Sequence, residues 1–163
     1  MTTISDRSYL EGLLARVGER DTLEVLATGR DQVGAVVGRL GASGLQRPYG
    51  PGKWTGAQVL AHLADAELVV AVRARQILTQ TPYTIQSYDE SAWIGLYRDV
   101  DTEAALATFL AGRNWNLHLC QGLSPTQLSR IGVHPERGEE PLSITLRALA
   151  GHTLSHLTQL EAL

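Results

Sequence analysis

Three histidines occupy positions where helical spacing could bring their imidazoles together. His152 and His156 lie in AGHTLSHLTQLE, and a spacing of four residues places both on one face of a helix. His62 lies in VLAHLADAE, where Val59 and Leu63 mark the same stripe as an inward face. Burying an imidazole without a partner costs about 1–3 kcal/mol, so each must be hydrogen-bonded or bound to a metal. One divalent metal would satisfy all three and leave coordination positions open, as in catalytic zinc sites.

Charged residues near these histidines could support catalysis. Asp65 follows His62 by almost one turn and could accept a hydrogen bond or act as a base, or it could be a solvated charge. Arg73 lies three turns after His62, and Arg113 lies at an inward position of another helix. Each arginine could hold a substrate carboxylate in a bidentate manner or form a structural salt bridge. Cys120 lies on an apolar stripe, where a buried thiol is normally inert.

Four other side chains have a less specific sequence context. Tyr88 and Trp93 could line a pocket or belong to the core. His118 lies beside an apolar stripe, and His134 lies in the segment HPERG. We expect both histidines to be surface or loop residues.

Composition limits the class of protein. The chain has 163 residues, of which 44% are hydrophobic and 19% charged, so we expect a single folded domain over residues 1–163. A single cysteine excludes a disulfide framework, and a formal charge of −3 argues against a nucleic-acid partner. No apolar run reaches about 18 residues, and the N-terminus lacks a basic segment followed by an apolar one. These patterns favour a cytoplasmic protein without a membrane partner.

Helical periodicity dominates the chain and predicts an all-α fold. Thr55 and Gln58 form a capping box at the start of one helix, Asp101 or Thr102 caps another, and Ser143 is the expected cap of the last. The predicted helices cover about 6–17, 21–40, 55–79, 101–121 and 143–163, with a short turn at Ser124-Pro125.

The segments between these helices predict the connections. Residues 41–53 and 130–141 are expected to be loops, and 83–100 to be an irregular crossover with one helical turn after Asp89. The pattern predicts a four-helix bundle with a long crossover between its second and third helices.

Five segments occur in an order that matches a known family over about residues 45–163. They are YGPGKWTGAQVLAHLADAE, TIQSYDESAW, GRNWNLHL, HPERGEEPLS and GHTLSHLTQLE. The chain resembles the DinB/YfiT-like superfamily of metal-binding four-helix bundles, and within it the YfiT-like metal-dependent hydrolases and bacillithiol transferases.

This resemblance implies a site and an activity. His62, His152 and His156 would be the ligands of a divalent transition metal, with zinc or nickel expected, and the chain would form a homodimer. The implied activity is that of a metal-dependent S-transferase that activates a low-molecular-weight, bacillithiol-like thiol as a metal-bound thiolate. The alternatives are a hydrolase that uses metal-activated water and a non-catalytic, stress-associated bundle that binds metal. From the residues alone, a bundle with ordinary core histidines also stays open.

Overall fold

The computed structural model describes residues 6–163, and this part of the chain forms seven helices and three short strands. In chain order these are α1 (Asp6–Val17), α2 (Thr22–Leu45), α3 (Gly56–Thr79), β1 (Tyr83–Thr84), α4 (Glu90–Ile94), α5 (Thr102–Gln121), α6 (Pro125–Leu128), β2 (Ile131–His134), β3 (Gly138–Pro141) and α7 (Leu142–Glu161).

Four long helices form a bundle, as the sequence predicts. α3 packs against α5 and α7, and α2 packs against the same two helices, so α2 and α3 lie diagonally across the bundle. α1 packs along α7 on the outside. The segment with β1 and α4 connects α3 to α5, which confirms the crossover between the second and third bundle helices. The contact between α3 and α7 is the one that the three histidines require.

Side-chain caps define the starts of three helices where the sequence predicts them. The Thr55 hydroxyl accepts the amide of Gln58, whose side chain in turn accepts the amide of Thr55. Asp89 and Asp101 accept amides in the first turns of α4 and α5. These bonds satisfy amides that a helix N-terminus leaves without partners, which is why the predicted starts of these helices agree with the structure.

The end of α2 differs from the prediction. The helix continues to Leu45, although residues 41–53 were expected to be a loop. Gly41 adopts φ 60° and ψ −178°, which kinks the chain at that residue, and the helix resumes after it. Leu45 is buried, so apolar contact holds this last turn against the bundle.

The prediction of a loop over residues 130–141 is wrong. β2 and β3 form an antiparallel hairpin with Ile131 opposite Pro141, and β1 from the crossover pairs in parallel with β2. Strands of two to four residues are too short for a hydrophobic period, and their pairing depends on segments distant in the chain.

The start of α7 also differs from the sequence-based prediction. The N-cap of this helix is Pro141, so Ser143 lies inside the first turn and cannot be the cap. Because β3 leads directly into α7, the hairpin fixes where the helix begins. Within the described residues, none of the helices is both long enough and apolar enough to cross a membrane.

Candidate metal centre

Three imidazole nitrogens converge between α3 and α7. Nε2 of His62 lies 2.8 Å from Nε2 of His152, and the latter lies 3.1 Å from Nε2 of His156. One nitrogen from each ring lies within 4.8 Å of the other two, which makes the group a candidate metal site. The structure therefore brings together the three histidines that the sequence singles out.

The donor set fits a cation better than it fits hydrogen bonds among the rings. A neutral imidazole has one donor and one acceptor nitrogen, so an N–H···N bond can join two converging nitrogens and leaves the third without a partner. A single cation can accept lone pairs from all three. Ligands of a tetrahedral zinc ion at 2.0–2.1 Å lie about 3.3 Å apart, close to the spacings found here.

Burial keeps all three rings neutral. His62 is 1% exposed and His152 and His156 are each 8% exposed. Desolvation, reinforced by His156, lowers the pKa of His62 to about 3, and desolvation also lowers the pKa of His152 and of His156. A neutral imidazole is the form that binds a metal.

Neighbouring side chains orient the rings. The Nδ1 atom of His156 lies 2.7 Å from Oε1 of Gln159, so Nδ1 can carry the proton and leave the Nε2 lone pair available. The Trp54 ring packs against His62 with centroids 5.2 Å apart. Gln159 was not among the predicted site residues, although its position three residues after His156 indicates a contact on the same helix face.

Glu90 brings a carboxylate beside the three rings. It is the first residue of α4, and its Oε2 lies 3.8 Å from Nε2 of His62. Its side chain is 43% exposed, so it reaches the histidines from the solvent side. Glu90 was not among the predicted site residues, because no local pattern relates the crossover to His62.

Asp65 is buried. It is therefore not the solvated charge that was one of the two expectations for this residue. Its Oδ1 accepts a hydrogen bond of 2.8 Å from the hydroxyl of Tyr97, and its Oδ2 is buried without a partner among the described residues. Desolvation raises the pKa of Asp65, and the Tyr97 hydrogen bond opposes that shift.

Arg113 forms the structural salt bridge that was one of its two expected roles. It is fully buried, and Nε and one terminal nitrogen both donate to Oε1 of Glu67. The other terminal nitrogen donates to the Leu26 carbonyl, while Asn116 donates to Oε2 of Glu67. These contacts occupy the guanidinium inside the bundle.

Arg73 lies in a different environment from Arg113. One terminal nitrogen donates to the Gln86 carbonyl at 2.8 Å, and Arg73 and Tyr88 both line a cavity of about 250 Å³ that reaches His152. The Tyr88 ring also contacts Trp93, with centroids 4.6 Å apart, and Trp93 is too exposed to be a core residue.

The two remaining histidines have separate surroundings. His118 is exposed and stacks on Trp115, as expected for a surface residue. His134 is buried, which corrects the expectation of a surface or loop position. Its Nδ1 accepts the amides of Glu136 and Arg137, because β2 turns its side chain inward.

Cys120 is buried among apolar side chains of the core. Desolvation raises the pKa of its thiol to about 11, so it is protonated and unreactive at neutral pH.

Comparison with protein families and curated proteins identifies relatives over most of the chain. The model of the DinB superfamily matches residues 26–160. A protein of Oceanobacillus iheyensis named "Putative metal-dependent hydrolase" is 32% identical over 120 residues, which is 73% of this chain and 70% of the relative. YfiT of Bacillus subtilis, which carries the same description, is 35% identical over 130 residues, 73% of this chain and 70% of YfiT.

The fold has a counterpart among solved structures. The structure of YfiT from Bacillus subtilis, described as a probable metal-dependent hydrolase with an unusual four-helix bundle topology, matches with a TM-score of 0.80. The match covers 99% of this chain and 88% of YfiT at 25% sequence identity.

Proposed function

Since the chain belongs to the DinB superfamily, we propose that His62, His152 and His156 hold a divalent transition metal in an enzyme that transfers a low-molecular-weight thiol to an electrophile. The observation that carries this proposal is the convergence of three buried, neutral Nε2 atoms on one point. Zinc and nickel are the metals we propose, because three imidazoles suit both ions. A bound metal of this kind lowers the pKa of a thiol or a water, so that a strong nucleophile forms at neutral pH.

Glu90 has the position to receive the proton of the incoming thiol. Its carboxylate lies 3.8 Å from Nε2 of His62 and is partly open to solvent, through which the proton can leave. In the transfer, the sulfur lone pair forms a bond to the electrophilic carbon, and the leaving group departs with the electrons of its former bond. The buried Asp65 accepts the Tyr97 hydroxyl and so ties the segment after α4 to α3.

The thiol in this reaction comes from the substrate. The described residues contain one cysteine, Cys120, and its buried thiol has a raised pKa and lies in the apolar core. A small-molecule thiol is therefore the substrate class that we propose, with a bacillithiol-like compound as the expected example.

A hydrolase is the second candidate, and the names of the relatives favour it. The Oceanobacillus protein and YfiT are both named as putative metal-dependent hydrolases. In that reaction water replaces the thiol, and its oxygen bonds to the substrate carbonyl or phosphoryl centre while Glu90 receives its proton. The leaving group departs with the electrons of its former bond to that centre and takes up a proton. The same ligand and proton-accepting residues serve both reactions, so the nucleophile distinguishes them.

A homodimer is part of the proposal. Leu68 and Val72 on α3 and Trp115 on the neighbouring α5 are each more than half exposed. An apolar group of this kind supports self-association. Light scattering should give twice the chain mass for the native protein and the monomer mass for Trp115→Glu; a native monomer would contradict this part of the proposal.

The decisive experiment compares metal-free protein with protein reloaded with zinc or nickel. Monobromobimane alkylates thiols spontaneously, so with cysteine as thiol we expect only the loaded protein to raise the conjugation rate above that of the protein-free mixture. Hydrolysis of p-nitrophenyl acetate is measured in parallel against the same blank. Equal conjugation by both forms would refute the transferase.

Metal-dependent ester hydrolysis without conjugation would establish the second candidate. A loaded protein inactive in both assays whose melting temperature falls strongly on chelation would be a non-catalytic metal bundle.

A further inference from the structure

The cavity beside the three histidines extends along α3 to Arg73. Its wall contains His152 and, from α3, Ala66, Val69, Val70 and Arg73. Arg73 follows His62 by eleven residues, which is three turns on the same side of the helix and about 16 Å along its axis. A ligand in this cavity could therefore contact His152 with one end and Arg73 with the other.

Arg73 has a hydrogen-bonding group that the protein does not satisfy. Its terminal nitrogen donates to the Gln86 carbonyl, but its Nε is buried and has no partner among the described residues. An unpaired buried donor costs about 1–3 kcal/mol, and such groups in native proteins usually have a ligand, an ion or a water as partner. Burial also lowers the pKa of Arg73, which means that its charge has lost solvation that an anion could replace.

The carboxylates around the cavity have other partners or lie in solvent, although the charge of Glu140 still acts on Arg73. Glu140 accepts from Arg137 and from the Thr145 hydroxyl, both at 2.8 Å. Glu90 lies beside His62, and Glu136 is exposed, where solvent screens its charge. Among the ion pairs found between the described side chains, none joins Arg73 to a carboxylate.

We propose that Arg73 binds a carboxylate of the substrate, which is thus a small molecule with its reacting group at the histidines and an acidic group at Arg73. Planar guanidinium geometry matches a carboxylate, and a charge-assisted hydrogen bond to Nε would satisfy the unpaired donor. The aliphatic part of the ligand would contact Val69, Val70 and Leu149 in the same wall. The histidine end of this assignment rests on the proposed function, whereas the Arg73 end rests on the cavity itself.

Paired thiols can test this assignment by binding and without turnover. Cobalt(II)-loaded protein is titrated with mercaptopropionate, mercaptobutyrate and mercaptohexanoate, and with the mercapto-alcohols of the same chain lengths, while the sulfur-to-cobalt absorption band is recorded. We expect at least one acid to bind about ten-fold or more tightly than its alcohol, which is the gain of one charge-assisted hydrogen bond. Arg73→Gln should remove this preference. Its affinity for the alcohol should stay within two-fold of the native value, which corresponds to a change in binding free energy of roughly 0.4 kcal/mol or less.

Arg75 offers a matched control on the same helix. It lies over the Trp115 ring on the outer side of the bundle and donates to the Ala71 carbonyl. Arg75→Gln should keep the preference for the acid. Equal affinities of every acid and alcohol in the native protein would overturn the proposal, as would an Arg73→Gln variant that weakens both classes equally. If Arg73→Gln does not fold, Arg73→Lys replaces it and should lose most of the preference, because it lacks the planar pair of donors.

A second titration separates this inference from the proposed function. If no thiol changes the cobalt spectrum, thiol activation fails, and metal-free protein is titrated with glutarate while tryptophan fluorescence is followed. Saturable binding by the native protein that Arg73→Gln abolishes would support the carboxylate site on its own. Absence of saturable binding would overturn it and would leave a buried water as the partner of Arg73.

Discussion

Nε2 of His62 lies 2.8 Å from Nε2 of His152, although the two residues are 90 positions apart in the chain. Packing of α3 against α7 creates this contact, and His156 adds its nitrogen one turn along α7. Buried, neutral imidazoles that meet in this way favour a shared cation over three separate hydrogen bonds.

Removing one of the three rings should abolish tight metal binding. For His152→Ala we expect metal affinity to fall by at least 100-fold. Replacing a residue that only hydrogen-bonds to a metal ligand already lowers metal affinity by roughly 10–100-fold, and losing the ligand itself should cost more. Elemental analysis of purified protein and competition with a chelator measure this loss. His118→Ala, which removes an exposed histidine on α5, is the control and should retain the native metal content.

Neutralising Glu90 should slow the reaction without removing the metal. General bases contribute roughly 10²–10⁴-fold to rates, so Glu90→Gln should lower the rate of conjugation or hydrolysis by about that factor. Glu103→Gln, on the exposed first turn of α5, should leave the rate unchanged. A Glu90→Gln enzyme with native rate and native metal content would show that its carboxylate does not take the proton.

The buried pair of Glu67 and Arg113 should dominate stability. Glu67→Ala leaves a guanidinium without its carboxylate at a fully buried position, and breaking such a pair costs about 3–5 kcal/mol. Urea denaturation of the metal-free protein measures the change. Asp31→Asn breaks the exposed pair with Arg30 and should cost less than about 1 kcal/mol. Similar losses in both variants would contradict the role of burial.

Two helical glycines should respond to alanine in opposite directions. A Cβ on Gly151 would lie 2.6 Å from the carbonyl carbon of Leu13 and closer still to its oxygen, so Gly151→Ala should push α1 away from α7. Overpacking of this kind costs about 1–3 kcal/mol. Gly38 has nothing within 4 Å of an added Cβ, so Gly38→Ala should stabilise α2 by up to about 1 kcal/mol. Thermal melts of both variants should therefore shift in opposite directions; a stabilised Gly151→Ala would refute the close approach.

Cys120 should be protected from alkylation and should make stability depend on alkaline pH. Its pKa is about 11 in the folded protein against 9.0 ordinarily, so the unfolded chain releases the thiol proton first. Stability is thus retained below pH 9 and falls as the pH rises from about 9 to 11. At pH 8, iodoacetamide should modify the folded protein far more slowly than the urea-unfolded chain, as measured by mass spectrometry. Equal rates would show an accessible thiol.

The limits of prediction follow from how far each interaction reaches along the chain. The caps at Thr55 and Asp101 involve residues three positions away, and the pair His152 and His156 follows from one helical turn. Such contacts depend on local geometry that the sequence already contains. Glu90 beside His62 could not be predicted in this way, because the path of the crossover decides it.

The long helices, the all-α class and the inward direction of the three histidines could be predicted from the sequence, since a helical period and its caps are local properties. Three features depend on how distant segments pack. They are the contact of α3 with α7, the pairing of Arg113 with Glu67 while Arg73 borders the cavity, and the hairpin within residues 130–141. The physical reason is the same in each case. Burial makes an unpaired polar group costly, and only the packed chain determines which distant group becomes its partner.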